Sequence, residues 1–357
     1  MKSVRGSSAL LLTSLALLIA GRGVTANGID SVTAFEDGRY VTIHGSGFGT
    51  KSPARPLYFW DFGNSITGTS SFSRLMYTGK IRGFVSTTVI ALGSTTSLQV
   101  DLAGDTSAVG PQDGVSFDSP RMYAWIKRRY EFNIVTASGP NGFNLKSFRL
   151  WDPWIHDMFV NYQGSNGGTG HVEVEHTQNE RPSIWFGKTP IPGSWVIEEF
   201  DYQSSTVGRQ DGVLLYIRNG IAMWEFSARF SMRTTAYANP YNRLFFDQVS
   251  NNRVAPGTFE YIDSIYVDDS RQRVILSDEP TWRQVTSGKD AHREIQIPLS
   301  WTDSRIEIAA RKGSFDSGAG KYLYVIDSNG QPVSTQGFAV PGMDVNPATL
   351  RKPVNTR

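Results

Sequence analysis

The chain of 357 residues is long enough for two domains, and its 35 basic and 33 acidic residues give a formal net charge of +2. Charges so evenly balanced and dispersed argue against a nucleic-acid partner, which usually requires a concentrated basic face. The sequence contains no cysteine, which excludes disulfides and a cysteine-linked lipid anchor. Stability must therefore come from a hydrophobic core.

Residues 1–26 have the pattern of a secretory signal peptide. Lys2 and Arg5 precede an apolar run from Ala9 to Ala20, and residues 24–26, Val-Thr-Ala, resemble a cleavage site. The run is short for a membrane span, and no later segment approaches one. We therefore expect a mature bacterial protein that begins near residue 27 and is secreted, periplasmic or located at the cell surface. A retained, uncleaved anchor is the alternative.

Residues 41–51, VTIHGSGFGTK, combine three glycines with a lysine. A phosphate-binding loop with such residues needs a strand before it and a helix after it. Two prolines follow at positions 53 and 56 and disfavour a helix there. We therefore interpret the stretch as a strand that ends in a glycine-rich corner of a β-sheet.

Most of the remaining chain has strand patterns, with alternating or clustered β-branched and aromatic residues bounded by turn residues. No segment after the signal peptide combines helix caps with sustained helical periodicity. The predicted fold is all-β, built of sandwiches. The clearest strand segments are residues 121–134, 145–151, 171–176, 194–203, 213–220, 259–269 and 321–330.

Residues 29–51 resemble the first two strands of the immunoglobulin-like IPT/TIG module, whose signature is a strand that ends in G-x-G-F-G. Residues 295–314 and 320–340 resemble the later half of that module, and Asn329-Gly330 favours a hairpin turn. We predict one split immunoglobulin-like domain, formed by residues 27–56 and 274–342, and a flexible tail of residues 343–357. The alternative is two modules in series, with the first truncated.

The predicted insert, residues 57–273, resembles a concanavalin A-like (laminin G, jelly-roll) sandwich. The resemblance lies in residues 195–220, where a Trp-led strand precedes Asp-Gly and Asn-Gly turns, in residues 259–270 and in residues 122–133. It implies a jelly-roll domain of the kind found in carbohydrate-binding modules, polysaccharide lyases and glycoside hydrolases. Such a domain presents a concave sheet face to a glycan.

Strand alternation predicts which polar and aromatic side chains share a face. Aromatic rings stack on sugars, and Arg or Lys pairs with uronate or sulfate groups. The alternative is a solvated outer sheet face with no ligand. The predicted glycan-binding residues are Trp151, Glu173, Glu175, Trp125, Lys127 and Arg129, with His171 and Arg149 on the same faces.

Two kinds of glycan chemistry use residues of these types. Retaining β-glucanases of the concanavalin A-like superfamily carry three acids along one strand, but Thr177 and Gln178 occupy the place of the third acid after Glu173 and Glu175. Jelly-roll lyases use His and Tyr for proton transfer and Arg or an amide to neutralise the uronate. By analogy, the predicted catalytic residues are His171, Tyr202 and Arg149.

The main functional prediction is a secreted protein that binds a polysaccharide or cell-surface glycan. The first alternative is a polysaccharide lyase that cleaves a uronate-containing glycan by β-elimination, and the second is a structural or adhesive surface protein. No cofactor is expected, and the chain has no zinc-ligand spacing. A structural calcium ion at Asp263, Asp268 and Asp269 is the alternative, because carboxylates are hard oxygen ligands.

Overall fold

The structure is a computed structural model that describes residues 28–33, 39–62, 76–77, 82–102, 107–109, 115–133, 144–151, 157–163, 169–175, 183–186, 189–225, 231–236, 238–249, 257–282, 291–315 and 320–340. The predicted signal peptide and the predicted tail lie outside the described residues. The regular secondary structure of the described residues consists of β-strands, so the predicted all-β fold is confirmed. No helix in these ranges is long and apolar enough to cross a bilayer.

The described residues contain twenty-three strands. The first twelve are β1 (Gly28–Val32), β2 (Tyr40–Ser46), β3 (Tyr58–Asp61), β4 (Met76–Tyr77), β5 (Arg82–Ser86), β6 (Ser97–Asp101), β7 (Ser107–Val109), β8 (Val115–Ser116), β9 (Arg121–Tyr130), β10 (Asn144–Trp151), β11 (Asp157–Gln163) and β12 (Thr169–Glu175). The others are β13 (Ser183–Phe186), β14 (Trp195–Gln203), β15 (Val213–Arg218), β16 (Ile221–Glu225), β17 (Arg243–Val249), β18 (Phe259–Asp268), β19 (Arg273–Ser277), β20 (Arg293–Trp301), β21 (Arg305–Ala309), β22 (Lys321–Ile326) and β23 (Phe338–Val340).

The larger sandwich packs two eight-stranded antiparallel sheets face to face. The first, called the β9 sheet, has the order β16-β15-β14-β9-β18-β6-β5, and β3 also pairs with β18. The second, called the β10 sheet, has the order β13-β12-β11-β10-β17-β7-β4, and β8 also pairs with β17. Alternate side chains of each sheet, such as Ile126 and Phe200 on one and Leu150 and Val160 on the other, meet in a common core.

The smaller sandwich is one seven-stranded sheet, with the order β1-β2-β21-β20-β19-β22-β23, folded over its own core. Strand β2 pairs with β21 in antiparallel register, with Val41 opposite Ile308. Val41 and Ile43 lie in the same core as Ile306 and Leu323. Strands from the two ends of the described chain therefore form one module, and the larger sandwich lies between them in sequence.

The glycine-rich stretch after β2 is a β-sheet corner, as its sequence predicts. Phe48 is fully buried in the core of the smaller sandwich, and its carbonyl accepts hydrogen bonds from Gln272 and Trp301. The backbone amide of Gly49 donates to the Asp303 carboxylate at 2.9 Å. Both hydrogen-bond partners and core packing thus hold the corner in place.

The two sandwiches share an extensive interface, because the smaller one packs on the outer face of the β9 sheet. This outer face is called the interface face. Two buried ion pairs, Lys127–Glu294 at 2.8 Å and Lys51–Asp268 at 2.5 Å, and the partly exposed pair Arg311–Asp61 at 2.7 Å lie at or beside the contact. The apolar part of the interface consists of Tyr123, Trp125, Ile197 and Tyr266 of the β9 sheet with Ile275, Ile295, Ile297, Tyr324 and Ile326.

Candidate functional site

Three of the predicted glycan-binding residues lie on the interface face, which the smaller sandwich occupies. Trp125 is fully buried in the apolar part of the interface. The Lys127 ammonium is buried and pairs with Glu294 and, at 3.8 Å, with Asp263. Alternation correctly groups Trp125 and Lys127 on one face, but that face is covered. Their prediction as glycan-binding residues is therefore wrong.

Arg129 lies at the end of the same strand and is about one quarter exposed. Its Nε forms an ion pair with Glu131 Oε1 at 2.5 Å, with side-chain exposures of 27% and 29%. Arg129 therefore belongs to the interface side of the molecule, and it is not brought together with the other predicted site residues on β10.

Tyr202 cannot act as a proton donor in the predicted site, because its side chain lies in the core of the larger sandwich. The ring is fully buried and packs against Tyr241, with ring centroids 5.9 Å apart. Burial raises the pKa of the Tyr202 phenol above its usual value. The sequence prediction of a catalytic role for Tyr202 is wrong, because even-numbered residues of β14 face the core.

The outer face of the β10 sheet, called the β10 face, brings Arg149 and Trp151 together. The guanidinium carbon of Arg149 lies 5.0 Å from the centre of the Trp151 ring. That ring packs in turn against Phe245, with centroids 5.6 Å apart. Arg149 and Trp151 are half-buried, whereas Phe245 is buried. The pair thus presents a cation and an aromatic ring on one face, in a geometry typical of a cation–π contact.

A second cation, Lys146, joins this face because of a β-bulge. Lys146 pairs with Asn161 of β11, but Phe148 pairs with Val160, so β10 has one residue more than β11 at this point. The ammonium of Lys146 lies 4.6 Å from the centre of the Phe159 ring. Lys146 and Arg149 therefore share a face although they are three residues apart.

Asn161, at the centre of the β10 face, is an uncompensated polar group. It is fully buried, and neither its amide nitrogen nor its amide oxygen has a hydrogen-bond partner among the described residues. Its neighbours on β11, Val160 and Tyr162, face the core, so Asn161 faces the other way. An unpaired amide of this kind is destabilising in a core, and it is the group expected where a ligand completes the hydrogen bonds.

The backbone register places the β12 positions His171, Glu173 and Glu175 on the same face. His171 is opposite Asn161, and Glu173 is opposite Phe159. Since directly opposed residues of an antiparallel pair share a face, these positions extend the β10 face beyond β11. The side chains of β12 are outside the described part of the structure, so their contacts stay a prediction.

Two of the three aspartates considered for calcium, Asp263 and Asp268, have protein partners. Asp263 lies near Lys127 and accepts a hydrogen bond from Ser264 at 3.0 Å. Asp268 pairs with Lys51 and accepts a hydrogen bond from Tyr266 at 2.6 Å. In the part of the chain that the structure describes, no three His, Cys, Asp or Glu residues are placed to hold a metal ion.

Sequence reasoning missed Lys146, Phe159 and Asn161. Alternation within residues 157–163, DMFVNYQ, gives the signal for Phe159 and Asn161, since Met158, Val160 and Tyr162 form the apolar set. No local pattern indicates Lys146, because simple alternation from Arg149 places it on the core side. The bulge that reverses this assignment depends on pairing with β11.

No protein-family model and no curated protein matches the chain. Solved structures with a similar fold include an endo-beta-1,4-glucuronan lyase from the fungus Trichoderma reesei, with a TM-score of 0.42, 11% identity and coverage of 60% of this chain and 95% of that chain. A marine PL-14 alginate lyase from Aplysia kurodai has a TM-score of 0.42 and 12% identity, and covers 60% of this chain and 99% of its own. The binding domain of botulinum neurotoxin serotype D has a TM-score of 0.37 and 9% identity. The match covers 60% of this chain and 48% of the neurotoxin chain. Similarities this distant assign neither an activity nor a site residue.

Proposed function

We propose that the protein binds an anionic polysaccharide on the β10 face. The observation that carries this proposal is the Arg149–Trp151 pair, in which a guanidinium and an indole ring lie 5.0 Å apart on one outer face. An indole stacks on the apolar face of a sugar ring, and a guanidinium binds a carboxylate or sulfate through two parallel hydrogen bonds. The two groups thus match the two chemical features of an acidic sugar.

The position of the smaller sandwich supports the choice of this face. The smaller sandwich covers the interface face of the β9 sheet, so this proposal assigns the ligand to the β10 face, the outer face on the other side of the larger sandwich. In this proposal Glu173 and Glu175 accept hydrogen bonds from sugar hydroxyls. The smaller sandwich, with its resemblance to IPT/TIG modules, acts as a spacer or a dock. A signal peptide at residues 1–26 fits a glycan met outside the cytoplasm.

Binding to soluble alginate and polygalacturonate tests the proposal, with an uncharged soluble β-glucan as the polymer control. Arg149→Ala is expected to weaken binding to the acidic polymer by about tenfold or more, because charge-assisted hydrogen bonds contribute roughly 1.5–3 kcal/mol. Trp151→Ala is expected to weaken it by about 1–3 kcal/mol, a magnitude borrowed from base stacking. Arg209→Ala is the matched control, because Arg209 is exposed and lies outside the β10 sheet, between β14 and β15. This variant should bind like the wild-type protein. Failure of the wild-type protein to bind either acidic polymer would overturn the proposal.

A second candidate function is β-elimination on the same face, and the opposition of His171 and Asn161 favours it. Elimination from a uronate requires a base for the proton next to the carboxyl group and a donor that stabilises the charge developing there. A histidine has an unperturbed pKa suited to the first task near neutrality, and an unpaired amide N–H suits the second. In this proposal His171 removes the proton at C5, and Asn161 and Arg149 neutralise the carboxylate. The electron pair of the broken C–H bond forms the C4=C5 double bond as the C4–O bond to the neighbouring sugar breaks, and the leaving oxygen takes a proton from water.

The rise in ultraviolet absorbance from the unsaturated product separates the two functions, because binding alone produces no conjugated double bond. If the protein is a lyase, His171→Ala should abolish the rise on alginate or polygalacturonate and leave affinity within about twofold, since a base contributes mainly to the transition state. His44→Ala, an exposed histidine on the smaller sandwich, is the control. If the wild-type protein binds these polymers but causes no rise in absorbance, the lyase function is contradicted and glycan binding remains.

A further inference from the structure

The bulge in β10 is anchored from inside the larger sandwich. Ser147, the extra residue, is fully buried, and its hydroxyl oxygen accepts a hydrogen bond from Nη2 of Arg128. Arg128 belongs to β9 and is itself fully buried between the two sheets. Its guanidinium also lies 5.2 Å from the ring centre of Phe148, the residue after the bulge. One buried cation thus contacts both residues that mark the change of register.

Arg128 is in turn held by a buried carboxylate. Its Nε donates to Glu198 Oε2 at 2.5 Å, and Glu198 Oε1 accepts hydrogen bonds from the hydroxyls of Tyr162, at 2.7 Å, and Tyr216. Burial acts to raise the pKa of Glu198, but Arg128 and the two phenols outweigh it and lower that pKa. The carboxylate therefore stays charged, and the cluster connects the β9 sheet to both β10 and β11.

We propose that this buried cluster fixes the bulge and thereby makes Lys146 the second cation of the β10 face. The β10 face then binds two anionic groups of one glycan chain. The inference rests on the proposed glycan binding and specifies its ligand as a polymer with closely repeated charges. Lys146 and Arg149 are separated by roughly 8–10 Å of extended, bulged strand. Without the bulge, Lys146 would face the core, and the β10 face would carry Arg149 without a second cation from Lys146.

The contribution of Lys146 is measured by the salt dependence of alginate binding. Each cation that neutralises a polymer charge releases about one counterion, so Lys146→Ala is expected to lower the slope of log Kd against log salt concentration by about 0.7–0.9, the values known for nucleic acids. We also expect affinity to fall by about tenfold at low salt. Lys321→Ala is a matched control, because Lys321 lies 4.7 Å from the Phe315 ring centre on the smaller sandwich. It should change neither quantity.

The role of the bulge is measured by a double-mutant cycle. Ser147→Ala removes the acceptor for Arg128, and we expect it to reduce the salt slope as Lys146→Ala does. Since both changes remove the same contact, the Ser147→Ala/Lys146→Ala double variant should bind like Lys146→Ala alone. Ser147→Ala combined with Arg149→Ala should lose affinity additively. If Ser147→Ala does not fold, the salt slope of Lys146→Ala against that of Lys321→Ala decides the inference.

The outcomes distinguish this inference from the proposed function. Wild-type protein that does not bind alginate or polygalacturonate overturns glycan binding itself. Wild-type protein that binds alginate, with Lys146→Ala showing the wild-type affinity and salt slope, overturns the second-cation inference and leaves glycan binding intact. Equal affinity for alginate and for an alginate whose carboxylates are partly esterified would also overturn it, because a two-cation face requires closely repeated charges.

Discussion

At the scale of single residues, Asn161 is a polar group whose burial the fold does not compensate. Its side chain is fully buried, yet both amide atoms lack a hydrogen-bond partner in the described structure. Burying an amide without partners costs about 1–3 kcal/mol in proteins, so an asparagine here lowers stability. A ligand can reach it only after neighbouring side chains rearrange, which is common at binding surfaces. Function is the simplest physical reason to tolerate such a group.

Replacement of Asn161 by leucine, which has a similar volume, tests this directly. We expect Asn161→Leu to raise the free energy of unfolding by about 1–2 kcal/mol, because the unpaired amide is replaced by an apolar group. The same variant should lose affinity for alginate. Chemical denaturation and a binding titration on one preparation measure the two effects. Lower stability of the variant would show that the amide has partners that compensate its burial.

At the scale of elements, the corner after β2 shows how a short motif organises a sheet. Phe48 is the side chain that this corner delivers into the core, where it joins Ile43, Trp301 and Phe315. Flanking glycines at positions 47 and 49 have φ angles of 74° and 69°, a region that other residues rarely adopt. The corner therefore combines a backbone that needs glycine with one large apolar anchor.

We expect Phe48→Ala to lower the free energy of unfolding by about 3–5 kcal/mol, the usual effect of removing a buried phenylalanine ring. The loss has two sources: less apolar surface is removed from water on folding, and a cavity remains where the ring was. Tyr40→Ala is the control, because Tyr40 begins the strand that leads into this corner and is 67% exposed. It should change stability by less than about 0.5 kcal/mol. Urea denaturation of both variants measures the difference, and equal effects would contradict the anchoring role.

At the scale of the whole molecule, the two sandwiches are joined by buried charges as well as by an apolar contact. Glu294 of the smaller sandwich accepts hydrogen bonds from Lys127, at 2.8 Å, and from the backbone of Ser314. Burial acts to raise the pKa of Glu294, but Lys127 and His292 hold it well below its usual range. Such a pair strongly favours one arrangement of the sandwiches, because separating its partners leaves uncompensated charges.

Asp268, which pairs with Lys51 near the junction, is expected to make stability depend on pH. Burial raises the pKa of Asp268 to about 6, against the opposing effect of Lys51. A folded-state pKa above the unfolded value near 3.9 means that the folded state holds the proton more tightly. The associated stabilisation is full below about pH 4 and is lost as the pH rises through about 6.

The stability of wild-type protein relative to Asp268→Asn should therefore fall between pH 4 and pH 7, by up to about 3 kcal/mol for a shift of about two pKa units. Denaturant unfolding at several pH values measures this relative stability. Asp118→Asn, at an exposed position, is measured at the same pH values as the control for removing one carboxylate. A relative stability that rises with pH would contradict the predicted direction.

The all-β class and many strand positions were predictable from sequence because both depend on local patterns. Alternation with a period of two also groups side chains correctly, as Arg149 with Trp151 and Trp125 with Lys127 show. The corner at residues 41–51 was predictable because prolines exclude the helix that a phosphate loop needs. These inferences concern segments of ten residues or fewer, in which steric and hydrophobic preferences act directly.

The tertiary structure alone decided which face the smaller sandwich covers and which residues the β10 face carries. Alternation cannot tell a face that another sandwich covers, as at Trp125, from a face that lies away from that sandwich, because the covering residues come from distant parts of the chain. Alternation also places Tyr202 on one face of its strand, but it does not show that this face is the one that packs in the core. Lys146 reaches the β10 face through a bulge, and a register change is a property of two paired strands. The unpaired state of the Asn161 amide likewise depends on every neighbour around it, so no single stretch of sequence could have revealed it.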